Sequence, residues 1–165
     1  MKTFNKAISL FALLLIPFFA ANAFNGISTT PSDDNVRTIE MTGNDRMKFS
    51  VTEINAEPGE KIRIVLTTVS KMPKMAMAHN VVVLEEDTDV EAFANASAMA
   101  RDNDYIAPDM EDQIIAATTM AGGGETVEIT FTVPQDAGSY SYICSFPGHF
   151  FGGMKGTLNV KKTAS

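Results

Sequence analysis

Short runs in which apolar and polar residues alternate make up most of the chain after residue 35, and this period-two pattern is typical of β-strands. The alternation is clearest in Thr126–Val133, in Ser139–Cys144 and at the start of Lys61–Leu66. Turn signals rich in glycine and proline separate these runs. Less regular strands are predicted at Val36–Met41, Met47–Asn55, Asn80–Leu84, Gln113–Thr119 and Met154–Val160.

One segment has helical periodicity instead. Between Asp87 and Arg101, apolar and small residues recur at intervals of three and four, and alanine is abundant. Thr88 is the predicted N-cap of this helix, with Glu91 three residues further on. The acidic stretch Asp102–Asp112, which contains a proline, is predicted to be a loop. The pattern as a whole predicts an all-β fold, a Greek-key β-sandwich of seven to eight strands with one inserted helix.

The N-terminus has the organisation of an export signal. Lys2 and Lys6 precede the apolar run Ala7–Ala20, and residues 21–23 fit a small-x-small cleavage site. The apolar run is shorter than the ~20 residues of a membrane span, which favours cleavage over the alternative of an uncleaved anchor. The sequence therefore predicts a signal peptide at 1–23, a flexible polar segment at 24–35 and one domain at 36–165.

The charge of the chain limits the classes of partner. Removal of the predicted signal leaves 11 basic and 20 acidic residues, and thus a net charge of −9. Such a protein is a poor nucleic-acid binder, because phosphate contacts need clustered lysine and arginine. Anionic lipid would also repel it. Net charge alone therefore predicts protein partners with basic docking faces.

The chain has a single cysteine, Cys144, although exported proteins normally pair their cysteines in disulfides. An unpaired thiol in an oxidising compartment is open to oxidation unless it is buried or occupied by a metal. Composition alone favours an inert, buried thiol. The residues that follow Cys144 favour a metal instead.

Cys144 opens a loop that also carries His149 and Met154, with the spacings Cys-x4-His and His-x4-Met. One proline and three glycines in this loop allow a tight fold in which the three side chains converge. The chain has two histidines, and the other one, His79, directly precedes the predicted strand Asn80–Leu84. Two imidazoles, a thiolate and a weak axial thioether form the ligand set of a blue-copper electron-transfer site.

The chemistry of this set suits electron transfer. Thiolate favours Cu(I), imidazole accepts both oxidation states, and a trigonal arrangement lies between their preferences, so that little moves when an electron arrives. Zinc is the rival metal, but structural zinc prefers four strong ligands and methionine is a poor one. Each candidate ligand, considered alone, also has a purely structural explanation; Met154, for example, could simply fill the core. Copper enzymes need a further copper centre, and no histidine remains to build one, so the sequence predicts a protein that is not an enzyme.

Several segments resemble the azurins, the bacterial cupredoxins. The resemblance covers residues 36–162, and it is carried by Gly43–Phe49, Met77–Asn80, Asp104–Pro108, Cys144–His149 and Met154–Leu158. The related auracyanins share the same ligand pattern. The resemblance implies a cupredoxin-like sandwich that binds one copper ion per chain and cycles between Cu(I) and Cu(II).

The resemblance also implies roles for individual residues. Four match the copper ligands of the family, three equatorial and one axial, namely His79, Cys144, His149 and Met154. The carbonyl of Ala78 matches a weak axial contact, the side chain of Asn80 braces the copper loops, and the amide of Phe146 donates to the sulfur. The chain departs from the azurin pattern in four ways: it has no disulfide and no tryptophan, it carries Ala78 where glycine is usual, and its His-to-Met interval is one residue longer.

These observations predict a monomeric periplasmic protein that shuttles single electrons between redox partners, such as c-type cytochromes or a periplasmic oxidoreductase. In azurins an apolar patch beside the second histidine docks these partners, and the candidates here are Met72, Met75, Met77, Phe150 and Phe151. The alternative function is a periplasmic copper chaperone or buffer, to which the methionine-rich segment Lys71–Ala78 lends weight.

Overall fold

The computed structural model describes residues 35–162, so the predicted signal peptide and nearly all of the predicted flexible segment lie outside the described residues. Within that range the chain forms nine strands and one α-helix. The elements are β1 (Val36–Asn44), β2 (Lys48–Phe49), β3 (Glu53–Ala56), β4 (Lys61–Val69), β5 (Val82–Leu84), α1 (Val90–Met99), β6 (Ile114–Ala117), β7 (Thr126–Thr132), β8 (Gly138–Ile143) and β9 (Lys155–Val160).

The strands form two sheets, ordered β2-β1-β4-β7 and β3-β9-β8-β5-β6. β4 lies parallel to β1 and antiparallel to β7, and its alternate residues Ile62, Ile64 and Leu66 are completely buried. They belong to one apolar cluster with residues of the other sheet, among them Tyr142 and Leu158. The predicted all-β sandwich is therefore confirmed, with its core between the two sheets.

Strand β5 is buried on both faces, which explains its unbroken apolar sequence. Val83 faces the core between the sheets, whereas Val82 and Leu84 belong to a smaller cluster that includes Phe93 of the helix. Helix α1 thus covers the outer face of the second sheet. Among residues 35–162, no helix is both long enough and apolar enough to cross a membrane.

The predicted strand Met47–Asn55 was wrong, since this segment contributes to both sheets. Met47 has a positive φ of 54° and closes a turn in which its N–H bonds the carbonyl of Asn44 at 2.9 Å. The chain then pairs briefly with β1 as β2, leaves that sheet near Ser50, and joins β9 of the other sheet as β3. This crossing raises the strand count of the described residues to nine, above the seven to eight predicted.

The inserted helix is confirmed, but its N-cap is not the predicted Thr88. Asp89 caps the helix, and its carboxylate accepts a hydrogen bond of 3.0 Å from the N–H of Ala92. Aspartate caps helices at least as well as threonine does, and with Asp89 in this position Ala92 falls at N3. The predicted loop that follows contains two short 3₁₀ turns, Arg101–Asn103 and Pro108–Gln113.

Candidate metal centre

Strand ends from both sheets meet at one end of the sandwich. There β8 ends directly before Cys144, and β9 begins directly after Met154. The N–H of Cys144 bonds the carbonyl of Met154 at 3.0 Å, which closes the loop between the two strands. Sheet hydrogen bonding therefore fixes both ends of the loop that carries three of the four predicted ligands.

The loop itself is a series of tight turns. The N–H of His149 bonds the carbonyl of Phe146 at 3.0 Å, and the N–H of Met154 bonds the carbonyl of His149 at 2.9 Å. Gly148 and Gly153 have φ values of 81° and 92°, a conformation that other residues rarely adopt. These glycines let the chain reverse twice in a few residues, so that the side chains of the loop converge.

His79 reaches the same place from the other side of the fold. Its backbone exchanges two hydrogen bonds with Ala121, of 2.9 and 2.8 Å, and Thr68 bonds the carbonyl of Ala121 at 3.0 Å. The His79 side chain is completely buried. The backbone of His79 is thus held by contacts among three segments: β4, the segment before β5 and the segment before β7. His79 is therefore fixed independently of the loop between Cys144 and Met154.

Three donor atoms converge within the buried space between these segments. Nδ1 of His79 lies 3.1 Å from Nδ1 of His149, and Sγ of Cys144 lies 3.9 and 3.4 Å from those two nitrogens. Bonds of roughly 2.0 to 2.3 Å from one ion to each donor span separations of this size. Among residues 35–162, this is the one group of three His, Cys, Asp or Glu side chains placed to hold a metal.

Met154, the fourth predicted ligand, lies beside His79. Met154 is completely buried, and a Cβ placed on Gly43 of β1 would come within 2.7 Å of its methyl group and 2.8 Å of Cδ2 of His79. The ring and the thioether therefore lie side by side over the end of β1. Sequence reasoning missed this role of Gly43, although a glycine inside a strand pattern is a known sign of close backbone approach.

Hydrogen bonds join the two segments that carry the donors. The side chain of Asn80 donates to Oγ of Ser145 at 2.9 Å and accepts from the N–H of Ser145 at 2.9 Å. Asn80 therefore braces the residue after His79 against the residue after Cys144. The backbone N–H groups of Asn80 and Phe146 face the sulfur of Cys144, where they stabilise negative charge.

Burial controls the protonation of the donors. It raises the pKa of the Cys144 thiol to about 12, against the opposing effect of the two N–H groups. Burial, with the neighbouring imidazole of His79, lowers the pKa of His149 to about 4, and burial also lowers the pKa of His79. At neutral pH both imidazoles are thus uncharged and can donate lone pairs, whereas a metal must displace the thiol proton to bind the sulfur.

We expect the metal-free protein to lose stability as the pH falls from about 6.5 towards 4. The unfolded chain gains a proton on position 149 near its ordinary pKa of ~6.5, whereas the folded chain resists protonation until about pH 4. The contribution is therefore fully present above pH ~6.5 and is lost progressively as the pH falls to about 4, by up to about 3 kcal/mol. Urea denaturation at several pH values measures it. The control His149→Gln removes the titrating group, and an equal acid-induced loss in that variant would contradict the assignment.

Aromatic rings cover the outer side of the donors. The ring of Phe146 packs on the ring of His149 with centroids 4.7 Å apart, and Tyr105 packs edge-on against Phe146 at 5.1 Å. His149 itself is only 3% exposed. The donors are therefore shielded from bulk water, in part by the rings of Phe146 and Tyr105.

The predicted docking residues divide into two groups. Met72, Met75 and Phe151 are exposed, at 42%, 77% and 56%. Met77 is buried, and Phe150 packs against the cluster beneath α1. The exposed group is thus the part of the predicted patch that a partner can contact.

The fold and the donors define a class of protein: a β-sandwich that carries one buried Cys, His, His and Met centre at the end where its strands meet. This donor set fits copper better than zinc, because a thioether is a weak ligand that copper sites use in the axial position. The family comparison agrees. The model for "Copper binding proteins, plastocyanin/azurin family" matches residues 36–161, and the chain belongs to that family.

Individual relatives support this membership. The chain is 34% identical to an azurin of Alcaligenes faecalis over 125 residues, which are 74% of this chain and 96% of that protein. Its structure is similar to that of auracyanin A, a blue copper protein of Chloroflexus aurantiacus, with a TM-score of 0.66, 34% identity, and coverage of 76% of this chain and 99% of the other. A reduced auracyanin of Roseiflexus castenholzii gives a TM-score of 0.67 at 31% identity, covering 76% and 97% of the two chains. The predicted resemblance to azurins and auracyanins is confirmed.

Proposed function

We propose that this protein is a periplasmic carrier of single electrons, with one type 1 copper ion bound by His79, Cys144, His149 and Met154. The observation that carries the proposal is the convergence of two imidazole nitrogens and one sulfur, from separate segments, within 4.8 Å of one another in a buried site. Copper would supply the change of one electron between Cu(I) and Cu(II). A carrier, rather than a catalyst, agrees with donors that are buried, since an electron can reach the metal without direct contact between a substrate and the donors.

The protein positions the donor atoms rigidly. The imidazole of His79 is fixed by the strand pairing of its backbone, and the loop of Cys144 is closed by the bond to Met154. Asn80 locks these two segments together. A site that is held in one geometry in both oxidation states has little to rearrange on electron transfer, which supports rapid exchange.

Other backbone groups near the sulfur tune the site. The carbonyl of Ala78 lies 4.0 Å from Sγ of Cys144, so it would make at most a weak contact with a bound copper ion. The N–H groups of Asn80 and Phe146 stabilise the thiolate and thereby favour electron density on the sulfur. The residues on either side of His79 and the second residue after Cys144 thus shape the electronic environment without binding the metal strongly.

The burial of the site argues against the alternative of a copper chaperone. A chaperone must exchange its metal with another protein, which requires donors that an incoming ligand can reach. Here His79, Cys144 and Met154 are completely buried, and His149 is nearly so. Met72 and Met75, which precede His79 in the chain, are exposed and favour metal exchange.

The spectrum of the copper-loaded protein tests the proposal directly. We expect an intense visible absorption band from charge transfer between thiolate and Cu(II), a narrow copper hyperfine splitting in EPR, and reversible one-electron reduction at an electrode. A colourless protein, or the EPR spectrum of ordinary tetragonal Cu(II), would contradict it. Transfer of copper to an apo-acceptor faster than electron exchange would favour the chaperone function.

The cellular location and partners follow from the same proposal. The export signal predicted at 1–23 and the membership of the azurin family support a periplasmic protein. Its partners would then be periplasmic redox proteins, such as c-type cytochromes or an oxidoreductase. Comparison of the intact mass of the exported and unexported protein tests cleavage after residue 23.

A further inference from the structure

The donors of the metal centre are buried, so an ion that loads the centre must first pass residues at the surface. His79, Cys144 and Met154 are completely buried, and His149 is 3% exposed. The ring of Phe146 packs on the ring of His149, with centroids 4.7 Å apart. A surface group that binds copper weakly beside the donors would raise the local concentration of the ion at the point where it enters.

One segment of the chain leads from the surface to a donor. Residues 72–77, which we call the methionine turn, hold three methionines and end two residues before His79. Met72 and Met75 are 42% and 77% exposed, whereas Met77 is 9% exposed. The Cα atoms of Met77 and His79 are at most about 8 Å apart, because each peptide unit spans about 3.8 Å. The turn therefore places thioethers both at the surface and next to the buried site.

The three methionines lie outside the apolar core. Neither apolar cluster of residues 35–162 includes Met72, Met75 or Met77, although Met77 is buried. Met41 and Met120, by contrast, both belong to the larger cluster. The usual structural explanation of a methionine, that its flexible side chain fills a gap in the core, therefore does not account for the methionine turn.

The methionine turn has a fixed place beside the site. The N–H of Met77 bonds the carbonyl of Pro73 at 3.0 Å, which closes the turn. Lys74 pairs with Glu125 at 2.8 Å, in the segment before β7 whose backbone also pairs with that of His79. The turn is thus attached to the same segment that holds the ligand.

The residues of the turn favour a soft cation over a hard one. Residues 71–78 contain two lysines and no acidic residue. The nearby carboxylate of Glu125 already accepts from Lys74 and from the N–H of Gly122, each at 2.8 Å. The carboxylate ligands that hard cations prefer are therefore missing from these residues, whereas thioethers are soft ligands that select Cu(I).

We propose that the methionine turn is a second, weak Cu(I) site through which the metal centre is loaded. Met72 and Met75 bind Cu(I) at the surface, and Met77 receives it on the way to His79. The ion keeps its charge and the thioethers carry no proton, so the one proton released is that of the Cys144 thiol, which passes to water as the sulfur binds. This proposal rests on the proposed copper-binding function. It gives the exposed methionines an inward direction of transfer, in place of the outward delivery of a chaperone.

The rate of copper loading tests the proposal. Metal-free protein is mixed in a stopped-flow instrument with Cu(I), supplied anaerobically as its acetonitrile complex, or with aqueous Cu(II). Ultraviolet absorption of the Cu(I)–thiolate bond follows the first reaction, and the visible band follows the second. The double variant Met72→Leu with Met75→Leu removes two sulfurs and keeps apolar side chains of similar volume.

We expect the double variant to load Cu(I) roughly tenfold more slowly than the wild type, because the occupancy of the turn falls with the loss of its ligands. Its rate with Cu(II) should stay unchanged, since thioethers are weak ligands for that ion. An unchanged rate with Cu(I) overturns the proposal. Equal slowing with both ions also overturns it, because it shows that the leucines alter access or folding rather than Cu(I) binding.

Met99→Leu is the matched control, because Met99 is 86% exposed and belongs to α1 rather than to the turn. It should load both ions at the wild-type rate. Slowing with Cu(I) equal to that of the double variant overturns the proposal, since it shows that any exposed methionine collects the ion.

Carbon-13 NMR of labelled methionine methyl groups measures binding at the turn directly. One equivalent of Cu(I) first fills the metal centre of the wild type. A second equivalent should then shift the signals of Met72, Met75 and Met77 and leave that of Met99 in place. The absence of shifts at the turn, or an equal shift at Met99, overturns the proposal.

The visible spectrum separates the two proposals. If the wild type never develops the intense band with Cu(II), the electron-carrier function fails, and the loading proposal fails with it. If the band develops but the rate with Cu(I) does not depend on the turn, only the loading proposal fails. The double variant should reach the same final spectrum as the wild type, which excludes damage to the metal centre.

Discussion

Replacement of Cys144 by serine is expected to abolish the visible colour of the copper-loaded protein completely. The band arises from charge transfer between a thiolate and Cu(II), and a serine hydroxyl has neither the soft sulfur nor a pKa that permits ionisation here. The two imidazole nitrogens, 3.1 Å apart, remain. They should still bind Cu(II), but more weakly by over ~100-fold, because even loss of an outer hydrogen bond to a ligand costs 10- to 100-fold.

Copper titration followed by absorption and EPR measures both effects. Tyr142→Phe is the matched control, because it changes a buried side chain two residues earlier on the same face of β8, and the hydroxyl that it removes bonds Val51 and not a donor. The Tyr142 hydroxyl donates to the carbonyl of Val51 at 2.9 Å, so this variant should lose some stability and keep its colour. An intense visible band in the Cys144→Ser protein would show that the sulfur of Cys144 is not a ligand of the copper.

The sequence predicted the parts of the fold in which local pattern and tertiary contact agree. β4 and β8 alternate because each has one face on the core, and β5 is apolar throughout because the helix covers its other face. The division of Met47–Asn55 between two sheets left no such signal. The sequence of apolar and polar residues continues without a break where the chain crosses from one sheet to the other. Only the positive φ of Met47 marks the turn that begins this crossing.

The candidate site was predictable because its chemistry is concentrated in few residues. With one cysteine and two histidines in the chain, the loop from Cys144 to Met154 pointed to His79 by elimination. Chain spacing could not indicate that Gly43, 36 residues before His79, contacts the ring and the thioether.

Two kinds of positioning residue follow from this comparison. Asn80 stands next to a ligand in the chain, and its side chain forms hydrogen bonds across the site, so the resemblance to known proteins revealed it. Gly43 contributes the absence of a side chain, and its effect is visible only in three dimensions. The structure therefore adds most where a residue acts by leaving room for another.

Gly43→Ala is expected to destabilise the metal-free protein and to disturb the spectrum of the copper form. The added methyl would lie 2.7 Å from the Met154 methyl and 2.8 Å from Cδ2 of His79, closer than packed carbon atoms allow. The φ of Gly43 is not positive, so alanine suits the strand, and its effect on the unfolded chain would by itself stabilise by about 0.4–1 kcal/mol. Overpacking costs about 1–3 kcal/mol, so we expect a net loss.

A double-mutant cycle shows which contact causes the loss. Met154 can move its methyl group, whereas His79 is held by its backbone pairing with Ala121. In a Met154→Ala background the penalty of Gly43→Ala should therefore shrink without vanishing, because the clash with the ring remains. Glu40→Ala, an exposed change in the same strand, should leave both the urea midpoint and the copper spectrum nearly unchanged. A Gly43→Ala protein as stable as wild type, with the same spectrum, would show that β1 does not position the donors.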